Sequence, residues 1–361
     1  MKFEDIPKVR LYNQHITMPR FSEPHEIVKW LGAAQAQDYL GSLWAIGLRL
    51  KGGTESMIEK AIENRKIVRS WPMRGTLHLV TAEDLRWMLK FLTPRVIQRS
   101  AGLYSQAGLD SKVFAKSGKL LSTALKGEQQ LTRSEIYALW ERARISTAEQ
   151  RGLHILGYLA QTGLICFGPR KGKQQTFVLL DEWLPPSKIP AKEEALANLV
   201  LTYFQSHGPA TIQDFCWWTG LAVIEGRRAV QSIETKLVQE LIDGKTHYML
   251  PAKQPQKAPG QVFLLPNYDE YFVAYKDRRA VLHPKLTTNI KQLGNGIFTS
   301  PIVINGLMAG YWKRHLVKDK IIVETNIFSS MNKSTANSIE AAARRYGKFL
   351  KTPVAVSGNY V

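Results

Sequence analysis

The chain has 361 residues, 44% of them hydrophobic, and 49 Lys and Arg against 30 Asp and Glu give a formal net charge of +19. That length suits a soluble protein of two or three domains with a sizeable core, and so large an excess of cations makes a polyanion, nucleic acid first, the expected partner. No run of about 18 apolar residues offers a membrane span, and Met1-Lys2-Phe3-Glu4-Asp5 lacks the basic-then-apolar order of a signal peptide, so the cytoplasm is the expected location, with nucleoid association once DNA is bound.

Cys166 and Cys216 are far apart and flanked by apolar or aromatic residues, which fits buried thiols. There is no Cys-x-x-Cys pair, no His-Glu-x-x-His and no acidic calcium loop, so neither a metal nor a cofactor is expected.

Residues 22 to 50 read as two helices. Ser22 is placed to cap, Pro24 sits in a first turn, and Ile27, Val28, Leu31 and Ala34 recur at helical spacing. Gln35-Ala36-Gln37-Asp38 closes this first run, and Leu40, Leu43, Trp44, Gly47 and Leu48 carry the second. A third helix starts after Lys51-Gly52-Gly53. A strand over Lys66–Trp71, a turn at Pro72-Met73-Arg74-Gly75 and a returning strand over Thr76–Val80 complete helix, helix, helix and hairpin, the order of a winged helix-turn-helix.

The order recurs. A helical connector from Glu83 to Leu125 leads to a capping signal at Thr132-Arg133-Ser134-Glu135 and a helix from Ala148 to Thr162. Two apolar strands then flank Gly168-Pro169-Arg170-Lys171-Gly172-Lys173, a basic wing. Past a Pro-rich linker from Leu184 to Pro190, a third copy has helices over Leu196–Phe204, Ile212–Thr219 and Val223–Ile233, and a hairpin turning at Asp243-Gly244. A linker rich in Lys, Gln and Pro follows Pro251. Strands near Val262–Pro266, Ile302–Asn305, Met308–Tyr311 and Lys320–Thr325 and a basic helix from Asn332 to Leu350 then predict a small antiparallel β-barrel. The fold class is therefore α+β: winged helices over 1–82, 83–183 (with the connector) and 191–252, then a barrel with its helix over 260–361.

Basic residues gather where a winged helix meets a duplex: Arg65, Lys66, Arg69 and Arg74 around the first hairpin, Arg170, Lys171 and Lys173 in the second wing, and Arg227 and Arg228 on the third recognition helix. If roughly six to ten of them contact phosphates, affinity falls by about three to five decades between roughly 50 and 200 mM salt. Most tryptophans sit among apolar neighbours as core residues, leaving Tyr39 and Trp71 as candidates to stack on a base.

Gln35 and Gln37 present donors and acceptors without charge at the end of an apolar run. Taken alone they are surface glutamines of good helix propensity. Three further stretches bear on them: Ser42-Leu43-Trp44-Ala45-Ile46-Gly47-Leu48-Arg49, Arg74-Gly75-Thr76-Leu77-His78-Leu79-Val80, and Gly152-Leu153-His154-Ile155-Leu156-Gly157. So do Leu264-Leu265-Pro266-Asn267-Tyr268-Asp269-Glu270-Tyr271 and Gly306-Leu307-Met308-Ala309-Gly310-Tyr311-Trp312-Lys313-Arg314. Together they resemble the bacterial AlkZ and YcaQ DNA glycosylases over almost the whole chain.

The resemblance implies tandem winged helices with a terminal β-barrel, and excision of N7-alkylated purines, bulky adducts or interstrand crosslinks among them, without strand cleavage. It also implies that Gln35-Ala36-Gln37 is the catalytic signature, of the AlkZ type. Such a base is already cationic and leaves neutral without an added proton, so fixed dipoles that hold water at the anomeric carbon suffice. Gln37 is assigned the larger part in holding water and Gln35 a supporting one. Asp38 is a rival base, Asp269 or Glu270 can lend negative charge, and His78 is either a lesion contact or a core histidine. No lysine is placed to form a Schiff base. The expected partner is double-stranded DNA bound by a monomer; a winged-helix regulator without chemistry is the competing reading.

Overall fold

Chain reversals fall largely where the turn residues put them. The computed structural model describes residues 1–251, 260–282 and 300–358, so the linker read after Pro251 lies outside them. Two compact units are formed, Met1–Ile58 with Leu196–Val361, and Glu59–Ala195.

The first unit begins with α1 (Ile6–Asn13) and α2 (Pro24–Leu31), the latter started by Pro24, which has no amide to leave unpaired. The residue preceding it is Glu23, whose amide donates to Glu26 Oε2 at 3.2 Å, so Ser22 is not the cap. α2 stops at Gly32, where φ is +78° and any Cβ would stand 3.0 Å from Thr202 Cγ2 and 3.2 Å from Trp218 Cη2. The glutamine motif therefore does not close a helix. It occupies an extended connection that includes β1 (Ala34–Gln35) and ends where Asp38 precedes α3 (Tyr39–Gly47). Ala33, Ala34 and Ala36 prolonged the apolar pattern because they are buried in that connection.

After α4 (Glu55–Glu63), β2 (Ile67–Met73) and β3 (Thr76–Thr81) pair through a two-residue turn, Arg74 at φ +57° and Gly75 at φ +73°. Pro72 lies inside β2, where an irregularity in register between Ser70 and Met73 accommodates its missing donor. The connector is four helices, α5 (Ala82–Leu92), α6 (Pro94–Arg99), α7 (Ala101–Gln106) and α8 (Ser111–Leu125). Then come β4 (Leu131–Thr132), α9 (Arg133–Arg142), α10 (Arg151–Gln161), β5 (Ile165–Phe167), β6 (Thr176–Leu179) and α11 (Leu180–Trp183). Thr132 caps α9 as its sequence requires, its amide held by Glu135 Oε2 at 2.6 Å. The apolar core of this second unit is centred on Leu121, Ile136, Trp140, Ile155 and Leu156, none of them measurably exposed. The β2–β3 hairpin is built into it: α10 and β5 pack on β2, and Trp71 meets Phe167 with ring centroids 5.1 Å apart.

The chain returns to the first unit through α12 (Lys192–His207), followed by α13 (Ile212–Thr219), α14 (Val223–Gln231) and the hairpin β7 (Val238–Ile242) and β8 (Lys245–Met249), which turns at Asp243 and Gly244, both at positive φ. A final region contains β9 (Val262–Leu264), the short α15 (Glu270–Val273), β10 (Pro301–Ile304), β11 (Leu307–Val317), β12 (Lys320–Ile327), α16 (Lys333–Leu350) and β13 (Val354–Gly358). The expected antiparallel barrel is corrected here. The five strands form a curled half-barrel in the order β13-β12-β11-β10-β9, and β13 joins β12 in parallel, Ile321 opposite Val354. A helical crossover dictates that pairing, because a chain that leaves β12 through α16 re-enters in the same direction. α16 packs against both edge strands, β9 and β13.

Candidate active site

The connection carrying the glutamines is held from behind by a carboxylate. The Gln35 amide donates to Glu270 Oε1 at 2.7 Å, Trp218 Nε1 donates to Glu270 Oε2 at 2.9 Å, and His207 Nε2 lies 3.4 Å from that same oxygen. Glu270 is 1% exposed, and a carboxylate this deep is tolerable because N–H groups surround it. Burial pushes His207 below its usual range, only partly opposed by Glu270, which favours a neutral imidazole. Gln35 is itself buried, whereas Gln37 is exposed.

Beside it runs a second polar chain. Arg49 donates through both terminal nitrogens to Asp269, at 2.9 and 2.8 Å, with neither side chain exposed. Arg49 also donates to Gln14 Oε1 at 2.8 Å, Gln14 Nε2 to the Tyr275 hydroxyl at 3.0 Å, and that hydroxyl to the His207 carbonyl at 2.9 Å. Asp269 further accepts the Tyr271 amide at 2.9 Å as the cap of α15. Its charge is thus compensated by Arg49 within the fold.

In front of the motif the packing is close. A Cβ on Gly41, in the first turn of α3, would stand 2.8 Å from Asp38 Oδ2 and 2.8 Å from Asn267 Oδ1. Asp38, Tyr39 and Asn267 are all partly exposed. The structure thus pairs the Gln35 backbone with Glu270 at one end of the connection, and brings Asp38 and Asn267 together over Gly41 at the other. Sequence reasoning gave no role to Asn267, Trp218, His207, Arg49 or Gln14. Trp218 and His207 look like any apolar helix face, and partners as distant in sequence as Gln14 and Tyr275 leave no local signal.

Other expected site residues are placed differently. His78 is fully buried, its Nδ1 2.9 Å from the Thr76 carbonyl, which makes it a core histidine of the second unit. Trp71, 7% exposed, packs on Phe167 and offers no face to a base. Arg69, 6% exposed, lies over the Phe167 ring at 4.6 Å and donates to Gln175 Oε1 at 3.3 Å. Arg65 pairs with Glu128 at 2.9 Å and covers Trp183, Arg170 pairs with Glu59, and Arg74 is half-buried with Nη2 3.4 Å from His78 Nε2. Lys66, Lys171, Lys173, Arg227 and Arg228 are exposed. Among the described residues no group of three His, Cys, Asp or Glu side chains could hold a metal ion, and no helix is long and apolar enough to cross a membrane.

Residues 28–349 match the family described as DNA glycosylase AlkZ-like. A relative from Streptomyces sahachiroi, an interstrand DNA cross-link repair glycosylase, is 24% identical over 324 residues, which cover 82% of this chain and 83% of the relative. The solved structure of the Streptomyces sahachiroi DNA glycosylase AlkZ aligns with a TM-score of 0.78 over 99% of this chain and 100% of that one, at 19% identity, and so speaks for the fold.

Proposed function

Because the chain belongs to the AlkZ-like DNA glycosylase family, we propose that it hydrolyses the N-glycosidic bond of cationic N7-alkylated purines in double-stranded DNA. Bulky adducts and interstrand crosslinks fall within that class, and the relative named for crosslink repair supports including them. The enzyme is monofunctional, acts as a monomer in the cytoplasm, and grips the duplex with three winged helices, α14 and the exposed cations Lys66, Lys171, Lys173, Arg227 and Arg228 among its contacts.

One observation carries the reading: two uncharged amides on an extended segment whose backbone is tied to a buried carboxylate. An N7-alkylpurine carries its positive charge before the reaction starts, so it departs as a neutral base. What remains is to hold water against the anomeric carbon and to meet an oxocarbenium-like state with oriented dipoles, which cost no reorganisation when they are fixed in advance. Gln37, exposed, reaches the water, and Gln35, buried, steadies water or sugar. Neither is a strong base, so unmodified purines, poor leaving groups, are spared.

The test is a duplex with one 7-methylguanine, incubated with excess protein and then treated with alkali to cleave abasic sites. Lesion-dependent scission is expected with wild type and none without alkali. Bound DNA that yields no scission would remove the glycosylase. Gln37→Ala should bind as before and release base at least about 100-fold more slowly; release at the wild-type rate would remove the role of Gln37.

A further inference from the structure

The loop after β9 turns its two carboxylates inward, Asp269 to Arg49 and Glu270 to the Gln35 amide, Trp218 and His207. Just before them Tyr268 sits at φ +59°. A left-handed conformation costs a bulky residue about 1–3 kcal/mol and persists only where the surroundings enforce it. Its neighbour Asn267 goes to the other side of the problem, against the first turn of α3, where its Oδ1 and Asp38 Oδ2 are each 2.8 Å from the point a Gly41 Cβ would occupy. Asp38 stands at a helix start without capping it, and neither it nor Asn267 makes a side-chain hydrogen bond to any described residue. Two polar side chains next to the glutamines thus keep their acceptors uncommitted, and residue 41 has no side chain that would part them.

We propose that Asn267 and Asp38 complete the reaction site as the pair that holds the attacking water by its two hydrogens, Asp38 as the base and Asn267 as a further catalytic residue. The inference rests on the glycosylase reading and deepens it. With one hydrogen on the Asp38 carboxylate and the other on the Asn267 carboxamide oxygen, the water turns a lone pair to C1′, and Gln37 supplies the remaining hydrogen bond. The C–O bond forms as the C1′–N9 bond breaks. Its electron pair passes into the purine, cancelling the charge carried at N7, and the water proton passes to Asp38 and on to solvent. Gln35 and Gln37 then serve as dipoles, which answers their lack of basicity. Tyr346 on α16 faces the charges of both Asp38 and Glu55, and its hydroxyl accepts from Arg314 on β11. Asp269 and Glu270 are held by the partners given above.

Single-turnover release of 7-methylguanine, measured against pH beside the affinity for the same duplex, tests the pair. Variants are compared at temperatures where circular dichroism shows them folded. Asp38→Asn should slow release about 100-fold or more at unchanged affinity and abolish the fall in rate at acid pH. Asn267→Ala should cost about 10- to 100-fold, also without loss of affinity. Asn267→Asp is the discriminating change: a second carboxylate beside Asp38 holds its proton on, so the acid fall in rate moves to higher pH. A merely structural Asn267 would not move that profile. Gly41→Ala should slow release by parting the two oxygens. Wild-type rates and profiles in both Asn267 variants, or an unaltered acid fall in Asp38→Asn, would overturn the pair while leaving the enzyme. Absence of release by the wild type would overturn the glycosylase and the pair together.

Discussion

The interiors of the two units are held together by different means. The second is packed with hydrocarbon around Leu121, Ile136, Trp140, Ile155 and Leu156, where attraction is non-directional and any shape that fills the volume serves. The first contains a polar seam, Gln14, Arg49, Asp269, Tyr275, His207, Glu270 and Trp218, in which each contact fixes an atom to within a hydrogen bond. Such a seam adds little net stability over an apolar core, but breaking it is costly. Gln35 is tied to the seam through its backbone amide, which donates to Glu270 Oε1. Buried hydrogen bonds thus hold the Gln35 backbone in the first unit, whereas apolar packing predominates at the centre of the second.

The largest difference should come from Arg49→Met. Leaving Asp269 buried and unpaired should cost about 3–5 kcal/mol, seen as a lower denaturation midpoint, and the double variant Arg49→Met/Asp269→Asn should recover a large part because no lone charge remains. Equal midpoints for the single and double variants would show that the pair is not coupled. In the other unit Leu121→Ala should cost about 3 kcal/mol by leaving a cavity, Leu121→Met less than about 1.5 kcal/mol, and neither should alter base release per folded molecule.

Acid should separate the units as well. His15, in the first, has Nε2 buried without a partner, and burial, only partly offset by the Met18 carbonyl, lowers its pKa from 6.5 to about 4. The unfolded chain therefore takes up a proton below pH 6.5 that the folded chain refuses until about pH 4, so stability present at neutral pH is lost as pH falls through that window. His207 acts in the same direction. The loss from His15 is on the order of 2 kcal/mol, and His15→Asn, which tolerates the left-handed backbone there, should flatten the slope; hydrogen exchange at pH 5 should show the first unit opening before the second. The smallest effect belongs to Thr132→Ala, about 1 kcal/mol from a lost cap, confined to exchange rates of the second unit.

What could be read in the sequence follows the same division. Asp243-Gly244 and Asn305-Gly306 turn hairpins because φ is positive at every one of those residues, a demand that local chemistry announces. Thr132 and Glu135 announce a helix start in the same way. The burial of Arg69 and Trp71 was not legible because β2 is buried along its whole length, so alternation could not tell an inner from an outer face. β13 went unread: its five residues make a strand only because β12 offers an edge. The glutamines were found by type, but their setting was not, since Gly32 cuts α2 short and the groups behind Gln35 come from distant parts of the chain.

That distance has a consequence for synthesis. Gln35 precedes Glu270 by 235 residues, and at about 5–20 residues per second the ribosome needs roughly ten to fifty seconds to pass from one to the other. A nascent chain therefore exposes cationic helices, able to meet nucleic acid, well before the amides are anchored. On the proposed reading, an incomplete product of translation should release no base, because the carboxylate that holds the Gln35 amide is made only at the start of the final quarter of the polypeptide.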